Sequence, residues 1–171
     1  MSSIDHQTPM RAALDEARQA LAAGEFPVGC VITTGKGLIV ARGARKNSRD
    51  GGEIDHAEVV AARLLLADPD GGPDPAELIV YATMEPCLMC FSTLILNGFR
   101  TIVYAYEDVM GGGTGLDLQA LPPLYAAMDV TVVGGVCRSE SLVLFQRFFR
   151  EDPHGYWRDS LLARYTLAQE I

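Results

Sequence analysis

Two short stretches of this 171-residue chain hold the residue types that do chemistry: "HAEVV" at 56–60 and "MEPCLMC" at 84–90. A Cys-x-x-Cys spacing serves redox pairs, structural zinc and catalytic zinc alike, so Cys87 and Cys90 alone decide little. Their setting narrows the choice. Pro86 suits the first turn of a helix over 87–97 that Gly98 ends. Both sulfurs then lie near free backbone N–H groups and the positive end of a helix dipole, which favour thiolate, the metal-binding form. Asp55 can cap a second helix running from about His56 to Ala67, so His56 also falls in a first turn. One imidazole and two thiolates are ligands that zinc prefers, and three protein ligands leave one tetrahedral position for water where a structural site closes with four. Zinc lowers the pKa of bound water from 15.7 towards about 7. Glu58, on the same turn as His56, is placed to take a proton from that water and pass it to a leaving group.

Plainer readings stand beside this one. Taken alone, Glu58 reads as a helix-capping carboxylate, and Cys87 with Cys90 as a redox pair. Cys30 or Cys137 as a fourth ligand would make the metal structural, but both lie in apolar strand runs where a buried free cysteine is the usual finding. His6 and His154 read as surface residues. Arg42, Arg45, Lys46 and Arg49 form a basic stretch without an acidic residue, which reads first as a solvated loop.

The elements that must position these groups follow from periodicity and punctuation. Thr8-Pro9 signals a helix start, and Met10, Ala13, Leu14, Ala17 and Leu21 recur at helical spacing until Gly24. "VGCVITT" and "LIVAR", around Gly35-Lys36-Gly37, read as a β-hairpin. The helix from His56 is apolar nearly all round, which predicts burial. "DPDGGPDP" at 68–75 is a loop before the strand "ELIVYAT", and "RTIVYAY" is another strand after the helix at 87–97, so strand, helix, strand implies a right-handed parallel crossover. "MGGGTG" at 110–115 is a mobile or tight loop without the lysine or context of a phosphate loop. Pro122-Pro123 interrupt a weak helix, "VTVVGGV" is a fifth strand, and Ser139 opens the helix "SESLVLFQRFF". Past Asp152-Pro153 an amphipathic helix, about 154–169, carries Tyr156, Trp157, Leu161, Leu162 and Tyr165 and is able to cover an active site. The expectation is a single domain over 1–171: a three-layer α/β/α fold on a five-stranded mixed sheet.

With 49% apolar and 21% charged residues, the chain can bury a core without metal or disulfide staples, so any metal needs a chemical reason. Four cysteines at low density do not form a secreted disulfide framework, which favours a reducing, cytoplasmic setting. The first residues lack the basic and apolar runs of a signal peptide, and no apolar run reaches the roughly 18 to 20 residues of a membrane span. A net charge of -8 opposes a broad grip on a polyanion.

"HAE" followed by "PCLMC" resembles the signature of the zinc-dependent cytidine and deoxycytidylate deaminase superfamily, nearest to its branch of tRNA adenosine deaminases and free-base guanine and cytosine deaminases. The likeness runs from the first helix through "EFPVGCVI" and both motifs to "SLVLFQRFF". It implies Zn2+ held by His56, Cys87 and Cys90, proton transfer by Glu58, a pocket shaped by the backbone at Ala57 and the Pro86 turn, and a homodimer. Phe26 and Trp157 are candidate pocket walls, with packing against the core the simpler use for each. The implied reaction is attack of zinc hydroxide on a ring carbon bearing an exocyclic amine, with loss of ammonia. Relatives often carry a substrate-binding asparagine eleven positions before the zinc histidine. Here that position is Arg45, and Asn47, nine before His56, could reach the base across a shortened loop. The acidic chain and aromatic terminal helix favour a free nucleobase or nucleoside over tRNA or a nucleotide. A zinc-stabilised binding module without activity is the non-catalytic alternative.

Overall fold

The computed structural model describes residues 4–68, 72–151 and 154–171. In chain order its elements are α1 (Gln7–Ala22), β1 (Gly29–Thr34), β2 (Ile39–Ala44), α2 (Ala57–Leu66), β3 (Leu78–Met84), α3 (Leu88–Leu96), β4 (Thr101–Tyr106), α4 (Pro123–Ala126), β5 (Thr131–Val133), α5 (Arg138–Glu151) and α6 (Leu161–Ala168). The Asp152-Pro153 break, and residues 69–71 of the turn-rich loop, lie outside the described residues.

The five strands form one mixed sheet in the order β2-β1-β3-β4-β5. β1 is antiparallel to β2 and β3, whereas β3, β4 and β5 run parallel, as a strand-helix-strand crossover requires. Side chains alternate across the sheet. Val31, Ile79, Tyr81 and Val103 pack with Met10 and Ala13 of α1. Cys30, Ile32, Val80 and Ile102 join Ala57, Ala61, Phe91 and Leu94 of α2 and α3. Every residue of β3 is buried, because helices cover both of its faces. α5 lies beside α1, with Leu144 against Leu14 and Ala17, while its Phe145 and Phe148 rings meet Phe26.

Two glycines set the helix-to-sheet spacing. A Cβ on Gly29 would stand 2.1 Å from the Ala13 carbonyl oxygen, and one on Gly43 would stand 2.2 Å from the Ala57 carbonyl oxygen. The second contact seats the first turn of α2, the turn that carries Glu58, directly on β2.

Several sequence expectations change. α2 is not buried all round: Leu64 is 63% exposed and Leu66 is 45% exposed. Pro122 and Pro123 open α4 instead of interrupting a helix, since the proline ring suits a first turn. β5 stops at Val133 because Gly134 lies against the Tyr104 ring and Gly135 turns the chain with φ 83°. The terminal helix begins only at Leu161, capped by Ser160. Tyr156 and Trp157 precede it in a turn where Gly155, Trp157 and Asp159 have φ of 67°, 56° and 57°, which a right-handed helix cannot continue. His6 is not a free surface residue, because its Nδ1 lies 3.0 Å from the Tyr81 hydroxyl. Among the described residues, no helix is long and apolar enough to cross a membrane.

α6 is clasped onto the sheet. Arg138 pairs with Glu107, the Tyr165 hydroxyl donates to Glu107 at 2.7 Å, and the Tyr106 and Thr166 hydroxyls meet at 3.0 Å. Hydrogen bonds from Arg138 hold the Glu107 carboxyl down to about 2, against an ordinary value of 4.5. A carboxyl whose folded value is depressed stabilises fully above its unfolded value, and loses that contribution as pH falls through the folded one. Glu107→Gln is therefore expected to cost about 1 kcal/mol at pH 7, after allowing for partial exposure, a drop of roughly 2–4 °C in melting midpoint. It should also flatten the fall in midpoint between pH 4.5 and about 2. Melting curves with equal slopes for the two proteins across that window would contradict the assignment.

Candidate active site

His56 and Cys87 are the N-cap residues of α2 and α3, both with extended backbone and neither using its side chain to cap its own helix. Both side chains are therefore free to meet each other. His56 Nδ1 lies 3.6 Å from Cys87 Sγ and 3.4 Å from Cys90 Sγ. All the donor atoms of this trio fall within 4.8 Å of one another. A tetrahedral zinc with bonds of about 2.3 Å to sulfur and 2.0–2.1 Å to nitrogen needs N–S edges of about 3.6 Å, so the donor set fits the ion. The sulfurs argue the same way. A hydrogen bond from Cys90, working against burial, pulls the Cys87 thiol far down, while that contact and burial push the Cys90 thiol up. Opposed shifts of this kind mark two sulfurs close enough to compete for one proton, a donor pair that a cation would suit.

Among the described residues no fourth histidine, cysteine or carboxylate joins the trio. Cys30 is buried in β1 with its thiol held in the neutral form by burial, and Cys137 stands at the start of α5. Glu58 is 3% exposed, and its Oε2 has no hydrogen-bond partner among the described residues. Burial raises its pKa, partly offset by the neighbouring His56. A buried carboxylate oxygen left unpaired beside metal-binding groups is poised to exchange protons with a small molecule between them.

The other nitrogen of His56, Nε2, faces Glu53 Oε2 at 3.2 Å. Glu53 also accepts from Arg45 Nη2 at 3.0 Å and from the Tyr156 hydroxyl at 3.0 Å. The sequence reading missed this hub; a carboxylate three residues before a candidate ligand was the available signal. Such a carboxylate fixes which imidazole nitrogen faces the metal. Glu53→Gln is expected to weaken zinc binding about 10–100-fold. Competition with a colorimetric chelator measures this, and an affinity equal to wild type would refute the role.

These groups open onto a cavity of about 250 Å³. Phe26, Ala57 and Trp157 line it, together with His56, Glu58 and Cys87. Pro86 is buried and is not among the residues lining it, although its neighbours Glu85 and Cys87 are; its carbonyl accepts from Gly113 N at 2.9 Å. Asn47 is not on the cavity wall: it sits in the left-handed region at φ 61°, and its amide donates to Asp55 at 2.7 Å. Arg45 takes the wall instead. The 110–115 segment is a tight turn, with Asp108 Oδ1 accepting from Met110 N and Gly111 N at 2.9 Å, and both of those residues face the cavity. Asp108 was also missed, although it follows the C-terminal end of β4, the edge where α/β sheets gather ligand groups.

Two helix N-termini aimed at one point across the end of a mixed sheet, with a buried carboxylate alongside, define a centre for metal-dependent hydrolysis. The chain belongs to the cytidine and deoxycytidylate deaminase zinc-binding family, whose model matches residues 3–106. It is thus a zinc-dependent hydrolase of the nucleobase and nucleoside deaminase type, and its fold is that of the cytidine deaminase-like enzymes. The tRNA-specific adenosine deaminase of Agrobacterium fabrum is 31% identical to it over 144 residues, 83% of this chain and 92% of that protein. A structure from work on A-to-I editing by tRNA:A34 deaminases at the wobble position of transfer RNA matches with TM-score 0.68 at 27% identity, covering 80% of this chain and 98% of that one. The guanine deaminase from Bacillus subtilis matches with TM-score 0.53 at 30% identity, covering 60% of this chain and 65% of that one.

Proposed function

We propose that this protein hydrolytically deaminates a free nucleobase or nucleoside, with His56, Cys87 and Cys90 holding zinc and Glu58 moving the protons. Zinc bound there supplies Lewis acidity and activates water at neutral pH. Glu58 takes a proton from the attacking water and returns it to the ring and to the departing amine, so that a ring C–NH2 and water become C=O and ammonia. The Ala57 backbone and the Pro86 turn shape the floor, while Phe26 and Trp157 flank the ring and exclude water.

The observation that carries the small-substrate reading is the cover. Tyr156 and Trp157 stand on the wall of a 250 Å³ cavity, below the roughly 300–1,000 Å³ of drug-sized ligand sites, on a segment that α6 anchors to the sheet. The charge pattern agrees. Within the basic stretch, Arg42 pairs with Glu16, Arg45 with Glu53, and Arg49 with Glu25, which leaves little free cation for a polyanion. The second reading, deamination of a tRNA adenosine, is favoured by the Agrobacterium and wobble-position relatives. Ammonia release from a panel of bases, nucleosides, nucleotides and tRNA separates the two. Turnover of free bases or nucleosides supports the first reading, and turnover of the anticodon adenosine alone replaces it with the second.

The working form is a homodimer in a reducing, cytoplasmic setting. Leu64, Leu66, Leu88, Met89 and Leu96 are exposed on α2 and α3, an apolar surface beside the zinc site that suits a two-fold contact. A monomer mass at micromolar concentration would contradict this. The unpaired state of all four cysteines fits the setting.

A further inference from the structure

The turn at 155–160 brings two side chains to the cavity wall from the far end of the chain, Tyr156 and Trp157. Local bonds close it: Arg158 N donates to the Gly155 carbonyl and Ser160 N to the Trp157 carbonyl, both at 3.1 Å. Trp157 and Asp159 have φ of 56° and 57°, a region that residues other than glycine disfavour and that persists only where surrounding contacts fix it. Part of that fixing is packing, since the Tyr156 ring lies 5.3 Å from the Phe26 ring and 6.4 Å from the Phe148 ring. The other part is polar. The Tyr156 hydroxyl donates to Glu53, at 3.0 Å on Oε1 and 3.3 Å on Oε2. Glu53 is also the carboxylate that faces His56 Nε2 at 3.2 Å. The cover and the candidate metal ligand are therefore two hydrogen bonds apart, through one half-exposed carboxylate that water can reach when Tyr156 leaves it.

We infer that Tyr156 is a positioning residue that couples closure of this turn to the grip of His56 on the metal. The inference rests on zinc at the His56, Cys87 and Cys90 trio. With the turn down, the Tyr156 hydroxyl and Arg45 Nη2 hold Glu53 from two sides, and Glu53 fixes the ring and tautomer of His56. When the turn lifts, the hydroxyl leaves with it, Glu53 regains rotamer freedom, and the imidazole is less firmly oriented. The full metal geometry is thus reached with the cavity covered, the state in which bulk water is excluded and electrostatic interactions inside are strongest. Linkage makes the coupling reciprocal: whatever factor closure adds to zinc affinity, zinc adds to closure.

Trp157 is the single tryptophan of the chain and is 45% exposed, so its emission reports the turn directly. Tyr156→Phe keeps the ring packing and removes the hydroxyl. It should bind zinc about 3–10-fold more weakly than wild type in competition with a chelator, a smaller loss than that of Glu53 itself because Tyr156 acts one bond further out. Zinc added to metal-free wild type should reduce acrylamide quenching of Trp157, and in Tyr156→Phe this response should vanish. A double-mutant cycle isolates the route: in a Glu53→Ala background, Tyr156→Phe should change zinc affinity by less than about twofold. Equal zinc affinity in Tyr156→Phe and wild type would overturn the inference, as would a wild-type Trp157 signal indifferent to zinc. Losses that add in the double variant would overturn it too, because Tyr156 would then act by packing alone. No step uses a substrate, so each of these outcomes leaves the deaminase reading intact. A wild type that binds no zinc would remove the metal reading itself, and this inference with it.

Discussion

Glu58→Gln protein is expected to bind one zinc per chain and melt like wild type, yet to lose about 10²–10⁴-fold in kcat. Glu58 is not one of the three donor residues of the cluster, so the metal site should survive its loss. Its Oε2, buried without a hydrogen-bond partner among the described residues, is the atom proposed to carry the proton. Glutamine keeps the shape and removes the proton transfer, so KM should change far less than kcat. Pre-steady-state and steady-state ammonia release, read beside zinc content, separates this from a folding defect. Zinc-replete Glu58→Gln with wild-type kcat would remove Glu58 from the chemistry.

The second large effect concerns the metal trio. Cys87→Ala is expected to leave the chain folded, because the core is built from residues such as Phe91, Leu94 and Phe145 that do not depend on the ion. Zinc content should fall well below one per chain, and activity should drop by at least about 10³-fold, since Lewis acid and water activation are lost together. Stripping wild type with a chelator should abolish activity, and added zinc should restore it; the same addition should not rescue Cys87→Ala. A Cys87→Ala protein that retains full zinc and turnover would mean that the ion sits elsewhere.

The clustering of His56, Cys87 and Cys90 was legible in the sequence because helix starts announce themselves. A capping context before His56 and a proline before Cys87 tell where two N-termini lie, and the chemistry of those positions follows from the backbone. The parallel crossover was legible for a similar local reason. What the sequence hid depends on contacts between distant segments. Whether Arg45 or Asn47 faces the cavity is decided by the left-handed turn at Asn47 and its bond to Asp55, neither of which has a periodicity. Glu53 became a hub only because Tyr156 folds back onto it from 103 residues away. The turn carrying Tyr156 and Trp157 read as helix because its apolar spacing is helical, whereas non-glycine residues at positive φ gave no signal in their names. Leu64 and Leu66 read as buried because, on a helix apolar nearly all round, sequence does not separate the core face from the exposed one.

Zinc K-edge X-ray absorption on the purified, metal-replete protein tests the central claim most directly. A shell of two sulfurs at about 2.3 Å and two nitrogen or oxygen scatterers at about 2.0–2.1 Å is predicted, with one light scatterer replaced when a competitive inhibitor enters the cavity. A third sulfur, which would have to come from Cys30 or Cys137, or a shell that no inhibitor alters, would contradict it by showing the ion closed off from solvent.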